Sequence, residues 1–397
     1  MELDYDVIIV GAGLVGLTAA LTCAHKGLRA ALLDAREIDG HADKRASALT
    51  MGSYNLLGHL GLHGALDGKL QPMKKMHIAD AHIGKISPLT LEFAQTRSDE
   101  PTGFMVENEI LRSALLAAAT DSSSIEIFAP TQIVSSAREA RHVKLSLPNQ
   151  EISAALLIAA DGRHSSFREG AGIESLTKSY NQKALVTSFA HSQPHGGTAY
   201  QYFYTGGPLA LLPLTGNRMS IVWSDRPEAI EAAMALPEAD FICELERRID
   251  PPLGELILCA PRQSFPLSLQ IAQRYTDHRL ALIGDAAHAI HPLAGQGLNL
   301  GLRDVAALVE LLHSAKQRGL DLGTAPLAEY ETWLVKDAKI LSATTDALNK
   351  LFSNDVAPLR HARRIGLLIT NKLSGPKAQL MTQASGATGK TPLLLRS

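Results

Sequence analysis

The chain has 397 residues, 46% hydrophobic and 20% charged, a balance that suits one large or two fused folded domains and excludes a disordered chain. Its 38 Lys and Arg against 40 Asp and Glu leave a formal net charge of −2, so nothing in the charge points to nucleic acid as a partner. No apolar run approaches the roughly 18 residues needed to span a bilayer, and any membrane contact is expected to be peripheral.

Tyr5 to Val10 (YDVIIV) reads as a buried parallel strand, and an Ala/Leu-rich helix follows to His25, ended by Gly27. Leu28 to Leu33 is a second strand closing on Asp34, which completes a βαβ unit. With a strand starting so early, no cleaved leader is expected. Residues from Arg45 to Leu60 read as a helix, as do Asn108 to Ala119. Ser124 to Ile127, Val143 to Leu147 and Leu156 to Ala160 read as strands. From Val186 to Trp223 strands alternate with Gly and Pro turns, the pattern of an antiparallel sheet. Pro227 to Ile249 reads as one helix with a Pro start. A strand over Leu280 to Ile283 and a helix from Gly297 to Ala315 return to the α/β pattern, and 326–352 and 356–373 read as helices. The fold class is therefore α/β, a Rossmann-type nucleotide domain interleaved with an antiparallel-sheet domain, plus C-terminal helices. Cys23, Cys243 and Cys259 lack metal-ligand spacing and read as buried reduced thiols of a cytoplasmic protein, with no metal site.

Three stretches carry chemistry. Gly11-Ala12-Gly13-Leu14-Val15-Gly16 joins a strand to a helix. Gly11 allows the tight turn, Gly13 the approach of a pyrophosphate, and Gly16 close helix–strand packing, while the helix N-terminus offers N–H donors. Asp34, with Ala35 beside it, ends the next strand, where a carboxylate can accept from ribose hydroxyls. This unit does not separate NAD from FAD. Gly284-Asp285 follows a strand, and Asp285 could bind a ribityl hydroxyl. Its bland alternative is a turn. His291-Pro292-Leu293-Ala294-Gly295-Gln296-Gly297-Leu298-Asn299 precedes a helix and can form a nest of N–H donors for a reduced flavin, or merely cap the helix. His288 and His291 read as packing or capping residues.

GAGLVG, ADGRHSSFRE and GDAAHAIHPLAGQGLNLGLRD, in that order, resemble the three fingerprints of the single-component flavoprotein aromatic monooxygenases, the p-hydroxybenzoate hydroxylase-like class. The last run, with Arg45-Ala46-Ser47-Ala48-Leu49, Glu107-Asn108, Leu111-Arg112 and the tail from Ala384 to Leu395, resembles most the ubiquinone-biosynthesis hydroxylase branch. The resemblance implies FAD as cofactor. Gly11, Gly13, Gly16 and Asp34 would hold its ADP half, and Arg45 and Arg112 would lie on the flavin side. Asp161 to Arg163 would match the Asp-Gly motif tied to FAD and NAD(P)H, and Asp285 the Gly-Asp motif. Pro292 and Gly295 to Asn299 would border the isoalloxazine. For Arg163 the bland reading is a structural ion pair.

The resemblance further implies hydroxylation of a lipophilic phenol by O2 through a flavin C4a-hydroperoxide, with NAD(P)H as reductant. No second GxGxxG follows a strand, so NAD(P)H would dock transiently on the FAD domain. The competing readings are an FAD-dependent reductase or dehydrogenase of the same superfamily and a non-catalytic flavoprotein subunit of a biosynthetic complex. The implied division runs 1–75, 101–180 and 271–325 for FAD, 76–100 and 181–270 for substrate, and 326–397 as a C-terminal helical region. Tyr202, Phe203, Leu211 and Pro213 are candidates for the substrate wall or for sheet core. Val356 to Leu373 can form a basic amphipathic helix that either meets the inner membrane or a partner of the pathway, or packs on the core. A homo-oligomer is left open.

Overall fold

The computed structural model describes residues 3–38, 43–94, 101–290, 296–333 and 390–396. In chain order it begins with β1 (Tyr5–Val10), α1 (Leu14–His25), β2 (Ala30–Leu33), β3 (Ala46–Thr50), α2 (Met51–His59), α3 (His63–Leu66), β4 (Gln71–Met73), β5 (Lys75–His82), β6 (Lys85–Ala94), β7 (Gly103–Glu107) and α4 (Asn108–Thr120). There follow β8 (Ile125–Phe128), β9 (Ser135–Arg138), β10 (Val143–Ser146), β11 (Glu151–Ala159), α5 (Ser166–Gly170), β12 (Ser175–His191), β13 (Thr198–Tyr204), β14 (Gly207–Leu214) and β15 (Arg218–Asp225). Last come α6 (Pro227–Ala235), α7 (Glu238–Glu246), β16 (Leu256–Leu258), β17 (Gln263–Ala272), β18 (Thr276–Asp277), β19 (Leu280–Leu282), β20 (His288–Ala289) and α8 (Gln296–Gln317), with a helix over 327–333.

The apolar runs without alternation build the first sheet, ordered β18-β19-β11-β1-β2-β8, with β10 and β9 added beside β11. β1 pairs in parallel with β11 and β2. Val7, Ile8 and Ile9 are fully buried, as strands covered on both faces require. Helices α1 and α8 pack together on this sheet. Alternating runs build the second sheet, ordered β20-β17-β12-β15-β14-β13-β5-β6. Along β14, Leu209 and Leu211 enter one core with Ile230 and Phe241 of α6 and α7. Ala210, Leu212 and Leu214 enter another with Ala48, Met73 and Met105. Those last three come from the small β3-β7-β4 sheet, which therefore lies between the two large ones.

Four expectations need correction. The helix expected from Arg45 begins as strand β3, because the backbone of Ala46 to Thr50 pairs with β7 and this tertiary pairing outweighs the helix preference of Ala and Leu. Helix α2 starts only after Thr50, whose hydroxyl accepts from Ser53 N. The single helix from Pro227 is two, since Pro237 forces Leu236 into extended backbone (ψ 142°). The second sheet reaches beyond 186–223, taking in β5, β6 and all of β12 from Ser175, and is not purely antiparallel, because β13 pairs in parallel with β5. Finally, all three cysteines are free, but only Cys23 is buried. Of the C-terminal helices, 327–333 is helical and 326 is a turn; 334–352 and all of 356–373 lie outside the described residues.

Arg279 anchors the rim of the first sheet. It is 1% exposed and its guanidinium donates to the carbonyls of Ala140 and Ala155 and to Asp321. Arg279→Ala strands the buried Ala155 carbonyl and leaves the exposed Asp321 to solvent, and should cost about 1–3 kcal/mol in a urea-unfolding comparison.

Candidate functional site

The site grows from the end of β1. Gly11 has φ 105°, and a Cβ there would lie 2.3 Å from the Ala160 carbonyl oxygen. A Cβ on Gly16 would lie 1.8 Å from the Gly11 carbonyl oxygen. Both must be glycine for α1 to start against β1 and β11. Gly13 differs, since a Cβ there would meet nothing within 4 Å. It is the exposed N-cap of α1, and no side chain caps the helix. Ala12 is buried, and Leu14 and Val15 are half-buried in the first turn. The result is a bare backbone surface beneath a helix N-terminus, suited to a pyrophosphate.

Around it opens a cleft of about 1050 Å³ whose walls include Gly11, Gly13, Asp34, Ala35 and Asp161. The Asp34 carboxylate accepts from Ala12 N and Arg36 N, each at 2.9 Å, which fixes its orientation and leaves lone pairs for a further donor. Asp161 Oδ2 accepts from Ser166 N at 2.9 Å, while its Oδ1 is buried with no partner. The Arg163 guanidinium donates to the neutral Ser268 Oγ of β17 at 2.7 Å, and among the described residues this hydroxyl stands in place of an ion-pair partner. Arg112 on α4 has a buried Nε without a partner. The orphaned acceptor of Asp161, in the wall of this cleft, fits a dinucleotide with hydroxyl groups to donate, while Arg112 is not among the residues that line it.

Arg45 lies outside that cleft. Its guanidinium grips Asp43 with two hydrogen bonds (2.7 and 2.8 Å) and sits 5.5 Å from the ring centre of Phe265 on β17. The bonds to Asp43, with the charges of Asp43 and Asp285, hold the guanidinium above its ordinary range against the effect of burial. Burial would raise the Asp43 carboxyl, but hydrogen bonds from Arg45 and Asn108 outweigh it and hold the pKa low. Asp43 carries no motif and was missed by sequence reasoning. Asp285 is exposed on the turn after β19. Asn299 on α8 accepts from Thr50 N and Ser53 Oγ and donates to the Ala48 carbonyl, so its side chain ties α8 to β3 and α2. Gly297 and Leu298 are half-buried in the first turn of α8, which Gln296 begins. Pro292, Gly295 and His291 lie outside the described residues.

Beneath the Asp285 turn lies a pair made by His288, which the sequence reads as packing or capping, and Asp304, to which it gives no role. Asp304 Oδ2 accepts from Gly284 N at 2.9 Å and pairs with His288 Nε2 at 2.6 Å, both side chains being fully buried. Burial alone would lower the His288 pKa, but Asp304, by charge and hydrogen bond, and Asp285 raise it.

On the second sheet, Tyr202 and Leu211 belong to the core under α6 and α7, and Pro213 alternates with Leu211 onto that face. For these three the structure gives the sheet-core reading of the two that the sequence left open. The opposite face carries Phe203 and, in one cross-strand row, Gln263, Val186, Val222 and Ala210. Phe265 neighbours that row, and Val222 and Ala46 pack at its border with β3.

A family model described as FAD binding domain matches residues 4–322, and one described as squalene epoxidase matches 256–394. Ubiquinone hydroxylase UbiL from Rhodospirillum rubrum is 42% identical over 96% of this chain and 89% of that protein. The 3-demethoxyubiquinol 3-hydroxylase of Escherichia coli is 32% identical over 96% and 98%. The chain belongs to the FAD-binding ubiquinone-biosynthesis hydroxylase family. Members of this family use FAD, which agrees with the cradle above. The fold recurs in p-nitrophenol 4-monooxygenase from Pseudomonas putida, with a TM-score of 0.80 at 19% identity, covering 98% of this chain and all (100%) of that one.

For this hydroxylase-family chain, Gly13→Ala should leave the apoprotein melting temperature unchanged, because the new methyl meets no protein atom, yet weaken FAD binding by about tenfold or more where backbone must approach phosphate. Gly16→Ala should prevent stable folding. Calorimetry and flavin titration check both.

The raised His288 pKa fixes a sign. The pair stabilises fully below the ordinary histidine range and loses its contribution as pH rises through the raised folded value. Asp304→Asn should flatten that decline in urea-unfolding free energy as pH rises above the ordinary histidine range.

Proposed function

We propose that this protein is an FAD-dependent monooxygenase that hydroxylates the aromatic ring of a polyprenylated phenol in ubiquinone biosynthesis. The observation that carries the reading is the 42% identity to a ubiquinone hydroxylase over 96% of the chain. In this reading Gly11 to Gly16 and the open start of α1 take the pyrophosphate, and Asp34 with Ala35 takes the adenosine ribose. Arg112, Arg45 and Asp161 contact the flavin side, Asp285 accepts from a ribityl hydroxyl, and Pro292 with Gly295 to Asn299 borders the ring. When bound and reduced by NAD(P)H, the reductant typical of the family, FAD supplies the activation of O2.

The chain's own work is then binding, orientation and exclusion of water. The segments of the first sheet (1–75, 101–180, 271–325) serve the cofactor. Those of the second (76–100, 181–270) serve the phenol, with Val186, Val222 and Phe265 as its apolar wall. A lipophilic substrate calls for peripheral contact with a membrane or with partner proteins of the pathway. Among the described residues no helix is long and apolar enough to cross a membrane. Deleting 356–373 should abolish co-flotation with liposomes if that segment is the contact; equal flotation of both forms removes it from consideration.

The test is incubation with NAD(P)H, O2 and a short-chain prenylated phenol, with chromatography of the products. The wild type should yield a hydroxylated phenol. Val222→Trp, which fills the wall, should retain FAD and still oxidise NAD(P)H while product falls roughly tenfold to a hundredfold. Unchanged product formation would remove Val222 from the substrate wall.

A further inference from the structure

The turn that carries Asp285 is held from beneath by three elements. Gly284 has φ 59°, and a Cβ there would lie 3.2 Å from the Val15 side chain of α1. Gly301 of α8 is as tight, since its Cβ would lie 2.8 Å from Val15 and 3.2 Å from the Gly284 Cα. One helical step further on the same face of α8, Asp304 receives Gly284 N and His288 Nε2 on a single oxygen. From α5, buried Arg168 donates to the Ala286 carbonyl at 3.1 Å. Asp285 alone in this turn is exposed, flanked by the charges of Arg45 and His288, both of which feel it. Acidic and basic side chains thus alternate along Asp43, Arg45, Asp285, His288 and Asp304.

A buried carboxylate–imidazole pair is a poor source of stability, because an apolar pair of the same volume is often as good. Its placement under an exposed carboxylate suggests what it is for. We propose that His288 and Asp304 are positioning residues for the cofactor: they fix the Gly284–Asp285 turn and so hold the Asp285 carboxylate oriented as an acceptor for a ribityl hydroxyl. The inference rests on the assignment of Asp285 to FAD made above. The other titratable groups facing His288 do not compete near neutral pH. Burial drives the hydroxyls of Tyr275 and Tyr330 far up, so both stay neutral, and Glu331 accepts from Tyr275 N and Thr276 Oγ1.

The test is a double-mutant cycle on FAD affinity, read by flavin fluorescence in titrations of the apoprotein. Asp304→Asn keeps the shape and can still accept from Gly284 N, but removes the charge. It should weaken FAD binding roughly five- to tenfold, as the turn loosens and part of a hydrogen bond to the Asp285 carboxylate is lost. In an Asp285→Asn background the same change should cost nothing more, because Asp304 acts through Asp285. Wild-type affinity should decline as pH rises through the His288 titration, and Asp304→Asn should be flat. Additive losses, or an unaltered pH profile in Asp304→Asn, would overturn the proposal. If Asp285→Asn binds FAD weakly while Asp304→Asn binds as wild type, the positioning role fails and the Asp285 contact stands. If Asp285→Asn itself binds as wild type, both fall. Should Asp304→Asn fail to fold, His288→Asn, which leaves the Gly284 bond to Asp304 intact, enters the cycle in its place with the same expected outcomes.

Discussion

The contact on which everything else depends is the one with no side chain in it. Where β1 ends, the Gly11 and Gly16 backbones press against each other and against Ala160, at distances where no Cβ could be placed. That closeness sets the start of α1 at the tip of the first sheet, points its free N–H groups into the cleft, and brings β11, with Asp161 at its end, alongside. It also sets the position of Val15, against which Gly284 and Gly301 close. One packing constraint at the N-terminus thereby fixes the distance between the phosphate cradle and the Asp285 turn, which lie at opposite ends of the nucleotide-binding part of the sequence.

The second sheet is tied to this frame by polar contacts at several points. Arg163 bonds to Ser268, and Gln270 returns a bond to the Arg163 carbonyl. Elsewhere Arg218 grips Glu107 with two hydrogen bonds of 3.0 and 2.8 Å. Between them Arg45 lies over Phe265. Bidentate guanidinium–carboxylate geometry resists rotation better than a single bond. The apolar wall is therefore carried at a set distance from the cofactor frame, which suits a protein whose contribution is to align a ring and exclude water while the cofactor carries the hard chemistry.

Much of this was legible in the sequence because it is encoded locally. The YDVIIV strand, the glycines after it and Asp34 lie within one βαβ unit, and their spacing alone states the phosphate cradle. The second sheet announced itself by alternation. What stayed hidden depends on contacts between distant segments. Ala46 to Thr50 is a strand only because β7 lies beside it. Alternation says that Tyr202 and Phe203 face opposite sides of β13 but not which side meets the cofactor domain; helices α6 and α7 decide that. Asp43 and Asp304 belong to no spacing rule that names a partner. Asp304 did leave a trace, an acidic residue among the buried positions of α8, and a buried carboxylate always calls for a partner.

The central claim is that the chain inserts an atom of molecular oxygen into an aromatic ring at the expense of NAD(P)H, using FAD held as described. The most direct measurement is mass spectrometry of the product formed from a prenylated phenol under labelled dioxygen, ¹⁸O2, in ordinary water. The account predicts a phenol heavier by one labelled oxygen, formed only when FAD and NAD(P)H are both present. A product carrying oxygen from water, or a reduced product formed without O2, would contradict it.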